Sequence, residues 1–218
     1  MGKSVYSIVL SDEVVQAIDD MAYRMGTNRS KLIDRILAER VSCVTPEMRM
    51  HEIFGMVEQA LEPMFLPTPR TSDSVLALKR ALRFKYKPTM RYSVELTRSF
   101  SGCVGRLRAG IRTRSEELAL LCMGFFDYWS RLERTALGAH FEGGFPCGIT
   151  QNGYVRDFYE SGEGELSNIE IADAITAYIA ALDKALTLWF GNAENEQAAK
   201  AQAEKVYREY LSEQKMIL

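Results

Sequence analysis

The stretch KSVYSIVLSDEVVQAIDDMAYRMGTNRSKLIDRILAERV, residues 3–41, decides how the chain begins to fold. In its first part Tyr6, Ile8 and Leu10 alternate with Val5, Ser7 and Val9, and this β-branched, period-two run predicts a strand with two distinct faces. Ser11 follows as an N-cap, with Asp12 and Glu13 where carboxylates meet the positive end of a helix dipole. Val14, Ile18, Met21, Ala22 and Met25 then fall on one helical face. Gly26 suits the left-handed C-cap that ends such a helix. Asn28 is the next N-cap, Arg29, Ser30 and Lys31 fill the first turn, and Leu32, Ile33, Ile36, Leu37 and Val41 form a second apolar stripe. The unit reads strand, helix, tight turn, helix.

Such a unit is incomplete alone. One short strand has no partner, and two short helices bury too little apolar surface, so a second copy has to supply the missing half. Two chains pairing their strands antiparallel would join four helices over one core. Y-S-I-V-L-S-D-E at the strand-to-helix junction, the spacing of the first helix, and G-T-N-R-S-K-L-I at the turn resemble, in that order, the ribbon-helix-helix DNA-binding family. The resemblance implies a two-stranded ribbon in the major groove of double-stranded DNA, with Val5, Ser7 and Val9 turned to the base edges. It also implies a phosphate held at the start of the second helix by Asn28, Arg29, Ser30 and Lys31, with Lys3 near the ribbon end. Family ribbons usually present basic or amide side chains to the groove; valines touch thymine methyls instead. Residues 1–45 carry zero net charge, so a second reading keeps the unit as a dimerisation module only.

Beyond it, Thr45 and Pro46 open a helix whose buried face is Met50, Ile53, Phe54, Val57 and Leu61. Pro63, Pro67 and Pro69 predict a stiff linker, and a basic helix is expected over about 74–86 with Arg80, Arg83 and Lys87 on one side. Residues 90–113 allow two readings. R-Y-S-V-E-L-T and T-R-S-E-E-L echo the N-terminal strand and second helix, which suggests a second ribbon-helix-helix repeat. Against it, Gly102, Gly105 and Gly110 fall inside the helix that repeat needs, whereas Leu107, Ala109 and Ile111 alternate with Arg106, Arg108 and Arg112 as in a β-hairpin turning near Arg98–Gly102. The hairpin is the preferred reading.

Thr113 with Glu116 reads as a capping box before a helix buried along Leu118, Leu121, Cys122, Phe125, Trp129 and Leu132. Residues 138–164 hold seven of the fifteen glycines and read as irregular loop. Ser167 with Glu170 caps a long helix buried along Ile171, Ile175, Tyr178, Ile179, Leu182, Leu186 and Trp189 up to Gly191. A last helix over about 193–214 buries Ala199, Ala203, Val206, Tyr207 and Tyr210. The expected fold is mostly α with a small β component: an N-terminal ribbon-helix-helix unit (1–45), a helical and Pro-rich linker (46–89), and a larger helix-rich α+β domain (90–218) for oligomerisation or effector sensing.

The net charge of −2 hides a strong segregation, with +10 over residues 79–114 and −9 over 115–218. The basic centre could meet phosphates or the acidic half of its own chain. The longest apolar run, Leu118–Phe126, is too short to span a bilayer, and no charged-then-apolar leader opens the chain, so a cytoplasmic protein without membrane contact is expected. Cys43, Cys103, Cys122 and Cys147 lack the spacing of a zinc site. The glycines of G-R-L-R-A-G at 105–110 are not followed by the lysine and hydroxyl residue of a phosphate loop, and His140, Cys147 and Asp157 match no nucleophile motif. No catalytic residue, metal or cofactor is expected, and no effector can be named. These readings converge on a DNA-binding transcriptional regulator, a repressor, acting as a homodimer or higher even oligomer. The alternatives are a protein-assembly module and a plasmid-transfer accessory DNA-binding protein.

Overall fold

A computed structural model describes residues 5–41, 43–62, 64–69, 72–85, 87–98, 102–151, 153–160 and 166–213. The chain divides into two compact units, residues 1–48 and 49–218.

In the first unit residues 5–11 carry no regular secondary structure. α1 (Asp12–Arg24) begins after Ser11, whose backbone is extended and whose side chain makes no capping bond. Gly26 at φ +61° turns the chain, a conformation glycine adopts without a Cβ penalty. α2 (Arg29–Arg40) begins after Asn28, whose side-chain oxygen accepts the Lys31 backbone N–H at 2.9 Å. The expected ribbon-helix-helix unit is therefore corrected: a single chain forms a helix pair preceded by an unpaired segment. A lone strand has no neighbouring backbone to share ladder bonds with, and water satisfies those groups instead. The helix stripes are corrected with it, because only Ala22, Leu32 and Ala38 are buried while Val14, Met21, Met25, Ile36, Leu37 and Val41 stand exposed.

The larger unit is an α+β fold with far more β structure than expected. α3 (Pro46–Leu61) starts with the Met48 N–H on Thr45 Oγ1 at 3.2 Å and buries all five residues of its anticipated face. There follow β1 (Leu66–Pro67), β2 (Val75–Ala81), β3 (Thr89–Leu96), β4 (Cys103–Arg112), α4 (Glu116–Leu137), a short 3-10 turn (Gly138–His140), β5 (Cys147–Thr150), β6 (Gly153–Tyr159), α5 (Asn168–Gly191) and α6 (Glu196–Glu213). The strands form one antiparallel sheet in the order β1-β2-β3-β4-β6-β5. Residues 46–89, read as linker, thus hold α3, β1 and β2, with Phe65 in the core.

Three local expectations are corrected. In place of the basic helix expected over about 74–86 stands the strand β2 over 75–81, because Leu76 and Leu78 alternate inward at period two and that pattern outweighs the spacing of the cations. The glycine-rich stretch 138–164 contains β5 and β6, whose inward residues Tyr154, Arg156 and Phe158 also alternate. α4 is capped by Ser115, whose Oγ accepts the Leu118 N–H, rather than by Thr113, whose Oγ1 accepts the Ser115 N–H at 3.1 Å. β3 and β4 pair antiparallel, as the hairpin reading expects, with Gly102 at φ +77°, so no second helical repeat forms in them; residues 99–101 of the expected turn lie outside the described residues.

Helices cover one face of the sheet. Phe126 of α4 stacks on Tyr154, Tyr178 of α5 meets Phe158 edge-on, and the buried Asp183 of α5 accepts the Tyr92 hydroxyl at 2.9 Å. α6 closes the helical layer through Tyr207 on Trp129 and Tyr210 on Tyr178. The opposite face of the sheet, carrying Lys79, Ala81, Arg91, Glu95, Arg106, Arg108 and Arg112, is open to solvent.

Candidate nucleic-acid interface

The N-terminal residues singled out for DNA sit on the smaller unit. Val5 and Val9 are fully exposed and Ser7 is exposed; Lys3 lies outside the described residues. On the alternate set, exposure falls from 84% at Tyr6 to 56% at Ile8 and 38% at Leu10. The two faces of residues 5–10 are therefore already unequal, though no strand forms.

At the turn, the cap by Asn28 leaves the first turn of α2 facing solvent, with Arg29, Ser30 and Lys31 all exposed. Unpaired amide donors and a positive dipole end make this position able to receive an anion. Arg29 is already engaged: its guanidinium grips the Asp19 carboxylate of α1 through Nε and Nη2, with Nε to Oδ1 at 2.6 Å. That hydrogen bond holds the Asp19 carboxyl below the usual carboxylate range and raises Arg29 in return. The pair orients Arg29 and masks part of its charge.

The basic centre divides between internal and external use. Arg80 runs inward to Asp183 and lies over the Phe65 ring, Arg106 pairs with Asp157, and Arg108 reaches Glu95 at 3.1 Å. The acidic half of the chain thus neutralises Arg80 and Arg106. Lys79, Arg91 and Arg112 meet no carboxylate among the described residues and project from the open face. Reading β2 as a helix hid this face; the alternation of Leu76 and Leu78 was the signal that would have found it.

A second cluster escaped the sequence reading. Glu133 of α4 and Arg156 of β6 are both completely buried and 3.3 Å apart. The guanidinium lies 4.0 Å from the centre of the Tyr178 ring and about 5 Å from those of Phe158 and Phe145. Tyr154 donates to Glu133, and the Trp129 indole donates to the Tyr178 hydroxyl at 3.0 Å. Burial pushes the Glu133 carboxyl above its ordinary range, against the pull of Arg156. Glu133 follows Trp129 by four residues on the buried stripe of α4, and Arg156 alternates with Tyr154 and Phe158, so both positions were marked by periodicity. The cluster is completely buried and filled by the guanidinium among the rings, closed to solvent rather than an open site. Cys147 beside it has its thiol pushed up to about 12 by burial first and Glu133 second, and Asp157 is taken by Arg106.

No helix among the described residues is long and apolar enough to cross a membrane, and no three His, Cys, Asp or Glu side chains among them converge as metal ligands. No family model, no curated protein and no solved structure matches the chain.

Proposed function

We propose that the chain is a cytoplasmic DNA-binding transcriptional regulator, a repressor, that dimerises and contacts DNA through residues 3–41. The carrying observation is the unburied apolar surface of the smaller unit. Among the described residues, thirteen of the eighteen exposed large hydrophobic side chains lie between Val5 and Val44. A helix pair that leaves so much apolar surface in water calls for a partner. A second copy fits that need: Val14, Met21, Ile36 and Leu37 of two chains can meet across a shared junction. In that pairing Val5, Ser7 and Val9 face the groove, and the first turn of α2 receives a phosphate. The larger unit then carries effector sensing or further oligomerisation.

Two measurements test the reading. Sedimentation equilibrium should give a dimer, and footprinting on the DNA upstream of the chain's own gene should give a protected site whose affinity falls steeply with salt. The double variant Arg29→Ala/Lys31→Ala should lose duplex affinity while remaining dimeric. A dimer with no protected site and no salt-sensitive binding rejects the regulator. It would favour the assembly module, which the fully exposed Val5 and Val9 and the uncharged balance of residues 1–45 support.

A further inference from the structure

The open face of the sheet is built from four register rows. Ala81, Thr89 and Arg112 form one; Leu66, Lys79, Arg91 and Gly110 the next; Ala77, Ser93, Arg108 and Val155 the third; and Val75, Glu95, Arg106 and Asp157 the last. Five cations stand there against two carboxylates. Both carboxylates lie in the last row, where Glu95 takes Arg108 and Asp157 takes Arg106. The imbalance is therefore concentrated on Lys79, Arg91 and Arg112, in the first two rows.

Lys79 and Arg91 are direct cross-strand partners, both exposed. Like charges opposite one another destabilise a sheet, and no carboxylate among the described residues offsets this pair. Gly110, on the far side of Arg91, puts no side chain over it. Around these cations the outward positions are alanine, serine, threonine, valine and glycine, with the exposed Leu66 of β1 directly across from Lys79. The tyrosine on this face, Tyr159, lies beyond the last row and packs edge-on against Phe141. Sheets that read single-stranded nucleic acid place aromatic rings among the cations to stack bases; this face has cations without rings, which suits phosphates and not bases.

We propose that this face is a second DNA-backbone surface, on which Lys79, Arg91 and Arg112 hold phosphates of duplex DNA without reading its sequence. The inference rests on the N-terminal unit engaging the same duplex. Because both units belong to one chain, the first contact raises the effective concentration of the second, so a few phosphate contacts on the sheet strengthen binding well beyond their separate affinity. Sequence choice stays with the N-terminal unit, and the sheet contributes salt-dependent affinity.

The test uses the full chain and a labelled duplex of its own upstream DNA, with binding followed by anisotropy over a salt series. For Lys79→Gln/Arg91→Gln/Arg112→Gln, the slope of log affinity against log salt should become shallower by about 2 to 3, close to 0.9 for each phosphate no longer neutralised. The footprint should stay in place. Glu95→Gln, which removes one of the two carboxylates, should tighten duplex binding, and it keeps the test valid should the triple variant misfold. An unchanged slope in a folded triple variant overturns the proposal; if the same variant loses binding to polyglutamate, the face belongs to an acidic protein instead. Arg29→Ala/Lys31→Ala separates the two readings. No effect of that pair alongside a flattened slope in the triple variant removes the N-terminal reading and leaves the sheet surface standing, whereas no duplex binding by the native chain at any salt removes both.

Discussion

Asp19 governs how much of the Arg29 charge a phosphate can use. The carboxylate lies across the guanidinium fork, and both groups are exposed, so the pair is solvent-screened and adds little to stability. Its consequence is for binding. Asp19→Asn should release the fork and remove a negative charge close to the proposed phosphate position, and we expect a few-fold tighter duplex binding at low salt with the gain fading as salt rises. Weaker binding would mean that Asp19 holds Arg29 in the binding geometry. The buried pair behaves differently. Removing the cation in Arg156→Ala strands a carboxylate in the core, which costs about 3–5 kcal/mol in chemical denaturation. Without Arg156 the largest pull opposing burial on Glu133 is gone, so its folded pKa lies further above its unfolded value. A raised folded pKa gives stability that is full below the unfolded value and lost as pH rises through the folded one. The deficit of this variant should therefore be largest near neutral pH and shrink toward about pH 5. A deficit that is the same at both would place the cost in lost ring packing.

At the scale of elements, legibility followed periodicity and failed where two periods competed. α3, α5 and α6 were readable because each carries one uninterrupted apolar stripe, and α3 and α5 also have a clear start: Thr45 before Pro46, and the reciprocal Ser167–Glu170 bonds before α5. The hairpin was readable because glycines that weaken a helix are tolerable in strands. β2 was misread since Arg80, Arg83 and Lys87 have helical spacing, yet Arg80 is drawn inward by Asp183, a partner more than a hundred residues away. β5 and β6 were hidden by their glycines, one of which is required by the sheet itself. Gly153 at φ +152° would place a Cβ 2.1 Å from the Ala109 carbonyl oxygen, so no other residue fits beside β4. Gly105 is similar: a Cβ there would stand 2.5 Å from the Glu95 carbonyl oxygen of β3, at the register shift between β4 and β6. We expect Gly105→Ala to force the hairpin apart locally and to cost at least about 1–3 kcal/mol, as overpacking does elsewhere. Unfolding midpoints measure it, and a neutral outcome would mean that the two strands part without loss.

For the whole molecule, the unequal division of the core carries the strongest expectation. Among the described residues, every member of the hydrophobic cluster lies between Met50 and Tyr210, while the first unit contributes only Ala22, Leu32 and Ala38 as buried apolar residues of its own. The candidate interface was legible in part for the same reason. Residues 28–31 are marked by a local cap, whereas Lys79, Arg91 and Arg112 come together only through strand register. Stability and association should then separate. Removing residues 1–44 keeps Thr45 as the cap of α3 and the entire cluster, so residues 45–218 should unfold in one transition within a few degrees of the main transition of the full chain. The same truncation removes the thirteen exposed hydrophobics between Val5 and Val44, so the fragment should sediment as a monomer, in contrast to the dimer proposed for the full chain. It should also retain weak duplex binding that is salt-dependent and indifferent to sequence, because the sheet face remains. A fragment that stays dimeric would move the association surface into the larger unit, and the exposed stripes of α1 and α2 would then need a partner other than a second copy.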